Sequence, residues 1–269
     1  MTNMPGISPI ILVYCRFYGE LSDFLPPYKR NKTFPHALKG GPSVKDALES
    51  MGVPHTEIDV ILVNRRPVGF SARVAHGDKI AVYPSGSSKR SQHVRHLKKA
   101  FPYRARFVVD SHLGKLARSL RLLGFDCVYR KIFPDQQIVQ IGAREKRIIL
   151  TRDLGLLKNK IIRYGRWVRA TDPPQQLKEI IREYGLAGRV RPLSLCLECN
   201  GKIRRVAKKR IEKRLPPKTK EYYQTFYQCA DCGKVYWKGA HYQRLLDLIN
   251  RARRVKTPGK TLRGKRRGK

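Results

Sequence analysis

Two Cys-x-x-Cys pairs, Cys196/Cys199 and Cys229/Cys232, constrain this chain more than any other feature. Paired two-residue gaps bring four thiolates to the spacing that binds Zn²⁺ tetrahedrally. Four protein ligands leave no open position, so the metal is expected to be structural. Each knuckle runs into a turn, Asn200-Gly201 after the first and Gly233 after the second. A zinc ribbon is therefore expected over residues 188–245. The two remaining cysteines, Cys15 and Cys127, stand in apolar, strand-like runs and read as core. Thiols used in this way fit a reducing, cytoplasmic setting.

Charge identifies the class of partner. The 269 residues carry 58 Lys+Arg against 20 Asp+Glu, a formal net charge of +38. Residues 1–84 hold 10 of those cations and 7 of the acids, which leaves 48 and 13 for the rest. So asymmetric a field is built for a polyanion, and RNA, ribosomal RNA included, is the expected partner. Between the knuckles lie ten Lys+Arg, among them Lys208, Lys209 and Arg210, followed by Tyr222, Tyr223, Phe226 and Tyr227. Cations beside aromatics suit phosphate neutralisation with base stacking. The tail, residues 246–269, adds further cations, including Arg266 and Arg267. It reads as disordered until it meets an anion. There is no apolar run of about 18 residues, so no membrane partner is expected. The N-terminal MTNMPGISPIILVYCRF lacks the basic start of a signal peptide.

The hydrophobic pattern divides the remainder. Residues 8–84 read as strand, loop, helix, strand, strand, strand, and residues 85–104 as a Ser-rich, basic linker. Residues 105–187 alternate strand and helix: RFVVD, then SHLGKLARSLRLLG, DCVYRKIF, PDQQIVQIGAREK, RIILTRD, LGLLKNKIIRYG, RWVRATD and PPQQLKEIIREYG. Alternation of this kind implies a parallel sheet flanked by helices, so the chain as a whole is expected to be α/β. In the first helix Leu113, Leu116, Ala117, Leu120 and Leu123 form one apolar stripe. Lys115, Arg118 and Arg121 fall off it, and the row is read as facing a phosphate backbone.

Ligand sites of open parallel sheets collect at the carboxyl ends of the strands. That rule selects Asp110, Asp135, Asp153 and Asp172 and sets aside Asp126, which begins a strand. Gathered carboxylates stay ionised with a compensating cation, and Mg²⁺ or Mn²⁺ is the compact, hard choice. Such an ion activates water against a phosphodiester. Helix capping explains the same acids without a metal.

The stretches VDSHLGKLARSLRLLGFD and RIILTRDLGLLK resemble the PIN-like ribonuclease domain named after the C-terminal region of the exonuclease Mut-seven. The resemblance covers about residues 105–242, zinc-ribbon pattern included. It implies a PIN-like fold that cuts RNA with Mg²⁺ or Mn²⁺. By matching position, Asp110 is the acid of the first strand, Asp135 the acid opening the second helix and Asp153 the acid of the Thr-Arg-Asp motif. Asp110 and Asp153 are the implied metal ligands, and Thr151 is read as positioning a metal-bound water. Lys115, Arg118 and Arg152 match basic positions of the two motifs. The chain departs from relatives at Arg130-Lys131, where they carry Asp or Asn, at His112 in place of Met, and at Ser119 in place of Trp.

ILVNRRPVGFSARVAHGDKIAVYPSGS resembles the β-grasp, ubiquitin-like sulfur carriers, and a β-grasp domain in front is known in that family. Carriers end in Gly-Gly. Here Pro84-Ser85-Gly86-Ser87 runs on, so a docking module for another protein is expected instead. The alternative to a nuclease is a non-catalytic RNA-binding protein resident on a large RNA assembly such as the ribosome.

Overall fold

The computed structural model describes residues 9–85, 96–97, 105–239 and 242–256. Arg266 and Arg267 and most of the expected linker lie outside these residues. Chain contacts divide the protein into two units. The first comprises residues 1–102 with 153–167, and the second 103–152 with 168–269.

In the first unit, β1 (Ile10–Phe17) pairs antiparallel with β2 (Phe34–Lys39) and parallel with β5 (Lys79–Pro84). β3 (Ile58–Val63) runs antiparallel to β5 and carries the short β4 (Arg66–Pro67) on its other side. The order β2-β1-β5-β3-β4 is a β-grasp sheet. Val13, Cys15 and Phe17 alternate inward along β1 and meet Val44, Ala47 and Leu48 of helix α1 (Val44–Ser50). Ser43 starts that helix by accepting from the Asp46 amide at 3.1 Å. β2 lies in the segment expected to be loop. Its Pro35 is tolerated because β2 is an edge strand.

In the second unit, β6 (Phe107–Val109) lies between β7 (Cys127–Val128) and β8 (Ile148–Thr151), parallel to both. Helix α2 (Gly114–Leu122) connects β6 to β7, and α3 (Asp135–Arg144) connects β7 to β8. The apolar stripe of α2 is fully buried, as its spacing required. Gly124, just past α2, has φ +85° and lies so close to the Arg191 carbonyl that a Cβ would clash with its oxygen. Pro134 takes the N-cap of α3 and Asp135 stands in its first turn.

The chain then passes through α4 (Leu154–Leu157) and β9 (Gly165–Trp167), both within the first unit. There Arg166, 2% exposed, donates both Nη atoms to Glu20 at 2.7 and 3.0 Å and one to Glu57 at 3.0 Å. Glu57 also accepts from the Trp167 amide at 2.6 Å. A buried guanidinium requires such pairing.

Back in the second unit, α5 (Pro173–Tyr184) packs on α2. It opens on Asp172, which accepts from the Gln175 amide, and closes on Gly185 at φ +61°. The ribbon is a three-stranded antiparallel sheet of β10 (Ile203–Val206), β11 (Phe226–Cys229) and β12 (Val235–Trp237). The short helices α6 (Lys208–Ile211) and α7 (Pro217–Tyr222) fold back on it around Ile211, Leu215 and Phe226. A last helix, α8 (Tyr242–Arg253), contacts α5.

Candidate functional site

The four cysteines converge. The Sγ atoms of Cys196, Cys199, Cys229 and Cys232 all lie within 4.8 Å of one another, with 3.6 Å between Cys196 and Cys232 and 3.4 Å between Cys199 and Cys229. A tetrahedron with Zn–S near 2.3 Å has edges of about 3.8 Å, so the arrangement fits zinc. Amides already point at the sulfurs, from Gly201 to Cys199 and from Asp231 to Cys229, each at 3.4 Å. The Tyr236 hydroxyl lies 3.1 Å from Cys196 Sγ and accepts from the Leu197 amide. Burial pushes the Cys196 thiol up, but Tyr236 and the backbone donors outweigh it and leave the group near 6. By contrast, burial lifts Cys15 and Cys127 to about 12, which marks them as inert core thiols.

The first knuckle is tied to the parallel sheet. Asn200, at φ +72°, accepts from the Cys127 amide at 2.9 Å and donates to Asp126 at 2.7 Å. Asp126 in turn takes both Nη atoms of Arg147, whose Nη1 also donates to the Phe107 carbonyl of β6. Asp126, set aside as lying on the wrong edge, is thus a structural link. The Asn-Gly after the first knuckle was the available signal, read only as a turn. Arg121 completes the link. It is 3% exposed and donates to the carbonyls of Cys127, Tyr129, Leu197 and Glu198. Expected on the phosphate-facing row, Arg121 has its guanidinium enclosed by these carbonyls. The α2 stripe spans more of the helix circumference than the spacing suggested.

Lys115 and Arg118 are exposed, Arg118 beside Glu198 at 3.1 Å. Arg152 donates to the carbonyls of Val168, Arg169 and Ala170 and so clamps backbone. Lys209 and Arg210 are exposed on α6, and Lys208 reaches Gln224 at 3.2 Å. Arg130 donates to Gln137 and lies over Phe133.

β6 delivers Asp110, 6% exposed, to the carboxyl end of the sheet. Its Oδ2 accepts from the Thr151 hydroxyl at 2.7 Å. Its Oδ1 accepts from the Ser111 hydroxyl and the His112 amide, and the His112 ring nitrogen Nδ1 lies 3.1 Å away. Burial pushes the Asp110 carboxyl up, but these donors, Thr151 first, outweigh it and hold it below its ordinary value. Thr151, fully buried, therefore orients the carboxylate itself. Oδ2 accepts one hydrogen bond and keeps a second acceptor direction. That direction offers a cation one ligand, and the described residues gather no group of carboxylates about it. Asp135 is exposed in the first turn of α3. Asp153 caps α4 by accepting from the Gly155 amide at 2.7 Å. Among the described residues, the four cysteines are the one group of three or more potential ligand side chains so close together. No helix among them is long and apolar enough to cross a membrane.

The sequence matches the family described as "Mut7-C RNAse domain" over residues 105–249 and that described as "Mut7-C ubiquitin" over residues 10–90. No curated protein matches it. Two crystal structures of small archaeal modifier protein 1 from Haloferax volcanii are similar to part of the chain. One is 19% identical, covering 28% of this chain and 97% of that chain, with a TM-score of 0.23. The other is 20% identical, covering 29% and 98%, with a TM-score of 0.24.

Proposed function

The chain belongs to the Mut7-C RNase-domain family, with a ubiquitin-like domain ahead of it, and on that premise we propose that it binds RNA and cuts its phosphodiesters. The observation that carries this reading is Asp110, an ionised carboxylate at the end of the central strand, oriented by Thr151. Asp110 would hold Mg²⁺ or Mn²⁺, with Asp135 and Asp153 as the further carboxylates that the motifs assign. When bound, such an ion supplies a Lewis acid and an activated water. Lys115 and Arg118 hold the RNA backbone, and the four cysteines hold a structural zinc. A cytoplasmic location suits cysteines that are kept reduced, and the ubiquitin-like domain serves as a docking module for protein. The test is cleavage of labelled RNA by the zinc-loaded protein with Mn²⁺ or Mg²⁺ added. Asp110→Asn and Asp153→Asn should each abolish turnover, and residual activity equal to wild type in both would sink the assignment.

A second reading is supported by the +38 charge and by the donors that already balance Asp110 without a metal. In it the protein is a non-catalytic resident of a large RNA assembly such as the ribosome. It should then sediment with ribosomal particles at low salt and leave them as salt rises, because each phosphate contact steepens the salt dependence.

A further inference from the structure

The ribbon carries the densest cationic segment of the described chain, and the structure sorts the aromatics that follow it. Phe226 is fully buried, and Tyr223 packs on the Ile211–Leu215–Phe226 core. Tyr227 lies half-buried on β11, paired in register with Arg205. Tyr222 does the opposite of its neighbour. It ends α7 and is 71% exposed. Its side chain makes no hydrogen bond, ion pair or ring contact among the described residues, and of the described Phe, Tyr and Trp residues of the second unit it is the one exposed.

Helical spacing explains the arrangement. Thr219 and Tyr223, four residues apart, face the ribbon core, so Lys218 and Tyr222, also four apart, share the adjoining outer face. Lys208 reaches Gln224, which places a second cation beside the end of α7. In the ribbon as a whole Lys202, Arg204, Arg205, Arg210, Lys213 and Lys218 make no side-chain hydrogen bond or ion pair among the described residues. Unpaired cations at this density repel one another and favour a polyanion. A polyanion alone has no use for a bare phenol ring, whereas an unpaired base presents a flat face that stacks on it. In an A-form duplex the bases are stacked inside and that face is out of reach.

We propose that Tyr222 is a base-stacking platform for single-stranded RNA, with Lys218 and Lys208 holding the flanking phosphates. The proposal rests on the RNA-binding reading above and adds to it the class of strand. It implies that the ribbon presents unpaired RNA and does not grip duplexes.

The test is fluorescence anisotropy of the zinc-loaded full chain with a 2′-O-methyl 12-mer, which resists cleavage, single-stranded or annealed to its complement. Tyr222→Ala should weaken single-strand binding about tenfold, since one stacked base contributes about 1–3 kcal/mol. It should leave duplex binding unchanged. Tyr222→Phe keeps the ring and should bind like wild type. The ring lies outside the core, so Tyr222→Ala should also keep the wild-type melting temperature. Equal losses on both strands, or no loss on either, overturn the platform. Binding of neither RNA by the wild type overturns the RNA reading itself. If polyglutamate displaces the RNA and its own binding falls as much in Tyr222→Ala, the surface belongs to an acidic protein and the proposal fails.

Discussion

The backbone amide of Cys127 donates to the side chain of Asn200 at 2.9 Å, a direct bond from the edge strand of the parallel sheet to the zinc knuckle. An edge strand leaves amides unpaired, and β7 is only two residues long. Asn200 supplies the acceptor that a further strand would otherwise provide, and its second amide atom fixes Asp126.

Asn200→Ala removes both bonds and puts a less tolerant residue at φ +72°. A loss of about 1–3 kcal/mol is expected, the range for a buried donor left unsatisfied. Asn200→Gly accepts the backbone angle and isolates the hydrogen-bond contribution. Urea unfolding of both variants measures it, and a wild-type midpoint in both would refute the link.

Metal removal should then be felt beyond the ribbon. Stripping zinc frees the Cys196–Cys199 turn, whose carbonyls at Leu197 and Glu198 accept from Arg121. Hydrogen exchange should show loss of protection at Cys127 and Val128 together with loss at the knuckles. If the knuckles exchange quickly while the Cys127 amide stays protected, the two parts are independent.

These links were only half legible in the sequence. The cysteine spacing and the leucine stripe of α2 are local patterns, and both correspond to the geometry found. The burial of Arg121 depends on carbonyls 76 and 77 residues away, and no periodicity encodes that. The same holds for Arg166, which reads as one more surface cation until Glu20 and Glu57 close around it. β2 was missed because prolines and glycines on either side of a six-residue edge strand read as loop.

Lys115 and Arg121 stand six residues apart on one helix and should respond differently. Lys115→Ala should weaken single-stranded RNA binding and lower the slope of log affinity against log salt by about 0.7, one phosphate contact. Arg121→Met should leave that slope unchanged and lower stability by about 1–3 kcal/mol, as several carbonyls lose a charged donor. A reduced salt slope in Arg121→Met would place its guanidinium on RNA after all.

Acid sensitivity follows from Asp110 and Asp126. For Asp126 burial acts upward, but hydrogen bonds from Arg147 and Asn200 outweigh it, so this carboxyl too lies below its ordinary value near 3.8. A depressed folded value means that the stabilisation is complete above the unfolded value and disappears as pH falls through the folded one. Stability should therefore be insensitive to these groups from neutrality down to about pH 4 and fall below it. Asp126→Asn should flatten that acid limb in urea titrations at pH 2–5. An unchanged limb would show that the pair with Arg147 contributes nothing.

The first unit offers the cleanest measurement of coupling. Arg166 and Glu57 are both buried, and each fixes a different part of the segment: Arg166 reaches Glu20, and Glu57 holds the Trp167 amide. Arg166→Met strands the Glu57 carboxylate in a dry site and should cost about 3–5 kcal/mol. Glu57→Gln keeps an acceptor for Trp167 but removes the charge facing Arg166, which retains Glu20, so its effect should be smaller. The double variant removes the stranded charge as well as its partner. It should be less destabilised than the sum of the single variants by 1 kcal/mol or more, roughly the coupling of contacting charges. Strict additivity in the double-mutant cycle would mean that Glu20 alone neutralises Arg166 and that Glu57 serves only the Trp167 amide.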